Sequence, residues 1–283
     1  MKKVLLATSA LTLSAGFASA DVSMSGTGGA GVFGAAGADL SVYSGADLNF
    51  SLSGASDTGM TFSTSIDMGA GSTLDTGDFE LDTQDMGTDA TPVITIGVSG
   101  VTITMAQNDI DDLYDDDPDP NGVDMHGDIG ISGAMGDLTF NIVTGLEDAD
   151  PTSLSIDYSA GAISGSVATS DAGDASTVNV SYNMGDITVA AESDTDRSGA
   201  DTSSVTVTYE MADGMTISLE NEEDVNTLGV SYSSGAISVA VEANDATAEE
   251  WEATMAYDLG GGATFNLGTN QDETTFAGVG FSF

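Results

Sequence analysis

Nine aspartates crowd into the stretch 107–128: Asp109, Asp111, Asp112, Asp115, Asp116, Asp117, Asp119, Asp124 and Asp128. Carboxylates at this density can hold a hard cation, work as an acid–base pair, or set the charge of a water-filled passage. Asp117-Pro118-Asp119-Pro120-Asn121-Gly122 matches the start of a D-x-[DN]-x-[DN]-G calcium loop, with Asp128 at its twelfth position. Asp117, Asp119, Asn121 and Asp128 are therefore candidate ligands for Ca²⁺. Asp in place of the usual Glu at position twelve, two prolines and no flanking helices leave a solvated acidic loop as the other reading. His126 is the only histidine and has no partner nucleophile in the sequence around it, so it reads as a loop residue. No serine lies in G-x-S-x-G, and there is no cysteine for thiol chemistry, disulfides or thiolate metal sites. Gly26-Thr27-Gly28-Gly29-Ala30-Gly31 fits G-x-G-x-x-G by letter, but alternation rather than a helix follows it. An enzyme is not expected, and no cofactor is implied beyond possible calcium.

Charge narrows the field further. All 46 acids lie after residue 20, where Arg197 is the only Lys or Arg, so residues 21–283 carry a formal −45. Nucleic acid is excluded as a partner, because it must be met by basic side chains. Such a charge repels itself, and a saline medium or divalent cations would relieve it. With 40% hydrophobic residues and 36 glycines, the chain is too apolar for plain disorder.

The elements that position these acids are strands. Val205, Val207 and Tyr209 alternate with Thr206, Thr208 and Glu210; after an Ala212-Asp213-Gly214 turn, Met215, Ile217 and Leu219 alternate with Thr216, Ser218 and Glu220. This is period-two hairpin patterning, with one aliphatic and one wet face. It recurs down the chain, and 18 alternating segments can be counted. Gly69 to Ala90 is polar and reads as a long loop, and Gln107 to Asp128 breaks the rhythm. Five tyrosines, Tyr158, Tyr182, Tyr209, Tyr232 and Tyr257, each precede a short turn and share the aliphatic phase. Longer acidic loops lie at the opposite ends. A tyrosine ring at one rim, short turns there and long loops opposite are the layout of an outer-membrane barrel, whose apolar face meets lipid. Closure is the only way an all-β chain satisfies its backbone in lipid. On this reading Asp157, Glu210, Glu220, Glu242 and Glu252 face the lumen.

The N-terminus fits that compartment. Lys2 and Lys3 precede an apolar run from Val4 to Phe17, and Ala18-Ser19-Ala20 ends it as a cleavage site. Residues 1–20 read as a secretory signal peptide and 21–283 as the barrel.

The signal-peptide wording, Ala256-Tyr257-Asp258-Leu259-Gly260-Gly261-Gly262 and the ending Gly278-Val279-Gly280-Phe281-Ser282-Phe283 resemble the Rhodobacter-type general porins of alphaproteobacteria. The resemblance implies a 16-stranded antiparallel barrel, a homotrimer, and a third long loop folded inward to narrow the pore. That loop would be about 107–128, with Asp109, Asp111, Asp112, Asp115, Asp116, Asp117 and Asp119 at the constriction. It also implies that Phe281 and Phe283 are read by the barrel-insertion machinery, and that lipid and lipopolysaccharide surround the protein. The chain departs from the family in having no basic wall to face its acidic loop. Sixteen strands are expected, with 18 as the alternative. The expected function is an outer-membrane porin passing small hydrophilic solutes, cations preferentially. The alternative is a secreted, calcium-dependent acidic β-protein acting as an adhesin or surface-layer component.

Overall fold

The computed structural model describes residues 21–35, 37–84, 92–114, 125–147, 151–246 and 250–283. The signal segment lies outside them. The first strands are long: β1 (Asp21–Gly34), β2 (Ser41–Ala55) and β3 (Thr61–Asp75). After the short β4 (Glu80–Thr83) come β5 (Ile94–Val98), β6 (Val101–Asp111), β7 (His126–Met135) and β8 (Leu138–Thr144). The regular half follows as β9 (Thr152–Ala160), β10 (Ile163–Ser170), β11 (Ser176–Asn183), β12 (Ile187–Thr195) and β13 (Asp201–Met211). It continues as β14 (Met215–Glu222), β15 (Val225–Ser234), β16 (Ile237–Asn244), β17 (Trp251–Gly260), β18 (Ala263–Asn270) and β19 (Thr275–Ser282).

Each strand pairs antiparallel with its neighbour in sequence, except that β4 pairs with β3 alone and β3 pairs also with β5. Strand β1 pairs with both β2 and β19, so the sheet closes on itself. Gly26 and Phe283 complete the seam by exchanging N–H···O bonds of 3.1 and 3.0 Å. With β4 lying off the wall, the barrel has 18 strands. The expectation of 16 is corrected, and the reason is simple: every wall strand keeps its own cross-strand ladder, as the alternation in the sequence indicated.

Two stretches differ from their expected form. Gly69 to Ala90 was expected to be loop throughout, yet β3 runs on to Asp75 and Glu80–Thr83 pairs back onto Ser72–Asp75. Gln107 to Asp111 remains strand, because β6 resumes pairing with β7 after a register irregularity between Met105 and Ile110.

The register fixes the faces. Val207 lies opposite Val189 and Leu219, and Tyr209 opposite Ile187 and Ile217, so the aliphatic residues share one face. That face is open: Val205, Leu219, Val241 and Leu267 are all exposed, as are the five girdle tyrosines. A continuous exposed apolar belt of this size belongs against lipid. The other face carries the polar set, where the Thr206 hydroxyl donates to Glu220 and the Asn179 amide to Glu192.

The assignment has a direct test. A charge at mid-belt, as in Val207→Arg, is expected to cost about 2–4 kcal/mol in a denaturant titration, and Thr206→Lys much less. In vesicles, Ser218→Cys should react with an impermeant thiol reagent and Ile217→Cys should not; the reverse pattern would invert the faces.

Candidate functional site

The lumen is built from the inward phase of the wall strands. Asp157 on β9 accepts a hydrogen bond from Thr139 across the β8–β9 pair. Glu210 lies opposite Thr216, and Glu220 opposite Thr206 and Thr227. Glu242 on β16 and Glu252 on β17 are direct cross-strand partners, with Asn270 on the far side of Glu252. These five acids thus occupy the wet face. Two like charges directly opposite one another destabilise a bare sheet, and Glu242 and Glu252 are such a pair.

A hairpin occupies part of the lumen. The chain leaves the wall at Gly71, whose φ of 79° is a left-handed conformation that a side chain would resist. Ser72 then passes over Gly45 on β2 so closely that a Cβ there would lie 2.5 Å from the Ser72 backbone. Strand β4 returns beneath, held by the Gln84 side chain donating to Thr73 at 2.7 Å and the Gln84 N–H to Gly71 at 2.8 Å. At the tip the Asp75 carboxylate accepts the Gly77 N–H at 2.7 Å. Two residues after Gly77, Phe79 meets Phe276 of β19 with ring centroids 5.2 Å apart. Phe276 has the inward phase, opposite to Val279 and Phe281, and both rings are buried. It lies over Gly268, where a side chain would collide with its ring.

The acidic stretch after β6 enters the lumen by its root. Leu113 donates its N–H to Ser153 Oγ at 2.9 Å, and the Ser170 hydroxyl donates to Asp112 at 2.7 Å. Tyr114 is buried and donates its hydroxyl to Asp194 at 2.8 Å. Arg197, from the β12–β13 loop, places its guanidinium 3.2 Å from Asp112 and 5.3 Å from the centre of the Tyr114 ring. Both charged side chains are nearly closed off from solvent, at 7% for Arg197 and 1% for Asp112. Asp112, expected at the constriction, therefore does not present its charge to water. The sequence marked Arg197 as the single Lys or Arg of residues 21–283 but not that pairing, because a lone cation has no local pattern to announce its partner.

The remaining candidates fall as follows. Asp109 is exposed on β6, and Asp111 is exposed and lies 3.2 Å from His126. Asp115, Asp116, Asp117, Asp119 and Asn121 lie outside the described residues. Asp128, the proposed twelfth calcium ligand, accepts the Leu146 N–H at 2.8 Å. Among the described residues no group of three or more His, Asp or Glu side chains is arranged to hold a metal. Tyr158, Tyr182, Tyr209, Tyr232 and Tyr257 all point outward near the short turns. Phe281 and Phe283 are exposed on the outer face of the seam.

A family model described as Gram-negative porin matches residues 7–280. The chain belongs to that family. The barrel is also similar to solved structures of two engineered variants of Rhodopseudomonas blastica porin. TM-scores are 0.58 and 0.57 at 16% identity, covering 93% of this chain and 100% of each of those. At that identity the likeness is one of fold. No curated protein matches the chain. The porin is thus an outer-membrane channel, and the secreted adhesin reading finds no support.

Loop order around Arg197 should resist mild acid. Asp196 is held below the usual carboxylate range by the Ser198 hydroxyl and then the Ala200 N–H. A depressed folded value means that its contribution is present above the unfolded pKa of about 4 and is lost only as pH falls through the lower folded value. Removing the cation is expected to be severe. Arg197→Met leaves Asp112 buried and unpaired, a loss of about 3–5 kcal/mol. Adding Asp112→Asn to Arg197→Met should restore most of it, as read from denaturation midpoints.

Proposed function

We propose that the porin is a cation-preferring channel for passive diffusion of small hydrophilic solutes. One observation carries the reading: the only Lys or Arg in residues 21–283 is turned into a buried ion pair with Asp112. The lumen acids Asp157, Glu210, Glu220, Glu242 and Glu252 thus face no basic wall. Fixed charges around a water-filled pore act through a low-dielectric surround that focuses their field, and acidic rings favour cations. The exposed acids Asp109 and Asp111, with those of 115–124, add to that field if the stretch continues inward from Tyr114.

Further parts of the reading rest on the family and the sequence. The protein works as a homotrimer, is exported by a signal peptide cleaved after Ala20, and is inserted by machinery that reads Phe281 and Phe283. Outer loops this acidic meet lipopolysaccharide through divalent cations, with calcium near Asp117, Asp119, Asn121 and Asp128 as one place for them.

Two measurements test these statements. Single channels in a KCl gradient should show a zero-current potential of cation-selective sign, larger at low salt where screening is weak. A potential near zero or of the opposite sign would end the proposal. Ca²⁺ should raise the melting temperature in detergent more than NaCl of matched ionic strength; equal values would remove divalent cations from the account.

A further inference from the structure

The β3–β4 hairpin is a built element whose position has a functional consequence. It leaves the wall beside β2, and its tip faces β17 and β16, five and six strands away round the barrel by way of β2, β1, β19 and β18. A segment rooted beside β2, stacked through Phe79 on Phe276 of β19 and facing β16 and β17 across a cleft lies across part of the lumen. Near the root, a cleft of about 410 Å³ separates Thr73 and Leu74 from Thr27, Thr264 and Gly280. At the tip, Gly77 and Asp78 face Glu242, Glu252 and Asn270 across a cleft of about 160 Å³.

The hairpin is fastened rather than draped. Tyr43, on the inward phase of β2, is buried with its ring edge against Gly31 and its hydroxyl over Gly278, where neither strand carries a side chain to hold it off. Phe79 inserts its ring against Phe276, and both are excluded from solvent. Large apolar residues at inward positions of an aqueous channel expose themselves to water unless something covers them. Burial of the Phe79 ring against Phe276 removes apolar surface from water and so favours one position of the hairpin. The arrangement limits the passage in two ways: backbone crosses it, and the free carboxylate end of the crossing is set beside the Glu242–Glu252 pair.

We infer that the β3–β4 hairpin, Ser72–Thr83, is the element that limits the pore's cross-section, and that Asp78 with Glu242 and Glu252 forms its narrowest charged point. The inference rests on the channel reading above but not on cation preference as such. It assigns the narrowing to the segment between β3 and β5, fastened by Phe79 on Phe276. A solute passes beside the hairpin tip, so size exclusion and charge selection act at the same place.

Single-cysteine chemistry tests it, since the chain has no native cysteine. Asp78→Cys is reacted in single channels with a trimethylammonium-bearing methanethiosulfonate and, separately, with a bulky maleimide. Asp57→Cys, in the exposed β2–β3 turn, is the control. The maleimide at 78 is expected to lower conductance at least twofold, and the cationic adduct to shift the zero-current potential toward anions. Neither adduct at 57 should do so. A second variant replaces Ser72–Thr83 by a short Gly-Ser linker. It should keep the heat-dependent gel shift of a folded barrel, conduct at least twofold more, and admit larger sugars in liposome swelling. Adducts at 78 that act no more than those at 57, together with unchanged conductance in the linker variant, would overturn the inference. Wild-type protein that forms no channels would instead sink the channel reading itself.

Discussion

Every backbone N–H and C=O in the hydrocarbon layer must find its partner within the protein, since lipid offers none and each unpaired group costs several kcal/mol. The seam between β1 and β19 is where this requirement is met or lost. Register there runs from Thr27 opposite Ser282 to Gly34 opposite Thr275, and the last residue, Phe283, still exchanges backbone bonds with Gly26. Antiparallel neighbours all round then demand an even number of strands. The two ends of the chain must also emerge on the same side as the short turns. An even strand count, and the emergence of both chain ends on one side, follow from that closure.

Closure also explains what was legible in the sequence. From β9 onward, aliphatic and polar residues alternate along most of each strand, and short turns with glycine at positive φ, as at Gly161, Gly185, Gly214 and Gly235, separate many of the strands. Those hairpins can be read residue by residue. The count of 16 came from the resemblance, whereas the alternation itself pointed to 18. Local patterning was the better guide because each wall strand must present its own apolar face to lipid, whatever the size of its relatives.

The hairpin inside the lumen was not legible as such, and the reason is physical. Ser72-Thr73-Leu74-Asp75 and Glu80-Leu81-Asp82-Thr83 are short and polar and have no lipid to face, so nothing forces an outward alternation on them. The signal lay elsewhere, in large apolar residues standing in the wrong phase. On β19 Phe276 falls between Thr275 and Ala277, off the outward set that ends in Val279, Phe281 and Phe283. Tyr43 is likewise inward between Val42 and Ser44 on β2. An aromatic ring pointing into water needs a cover, and Phe79, in an otherwise polar stretch, was the residue able to supply it.

The same reasoning separates the two kinds of carboxylate in this molecule. Asp112 and Arg197 are each other's answer to burial: a lone charge at that depth would be intolerable, and the pair closes the root of the acidic stretch onto β9, β10 and β12. Glu242 and Glu252 have no such answer within the protein. They stand opposite each other on neighbouring strands, near Asp78, in a chain whose one available cation is engaged elsewhere. Folding tolerates that repulsion because the site is wet and mobile cations screen it over about 8 Å at physiological ionic strength. A basic residue placed among them would relieve the strain on the sheet and, by the same act, abolish the reason for a cation to enter.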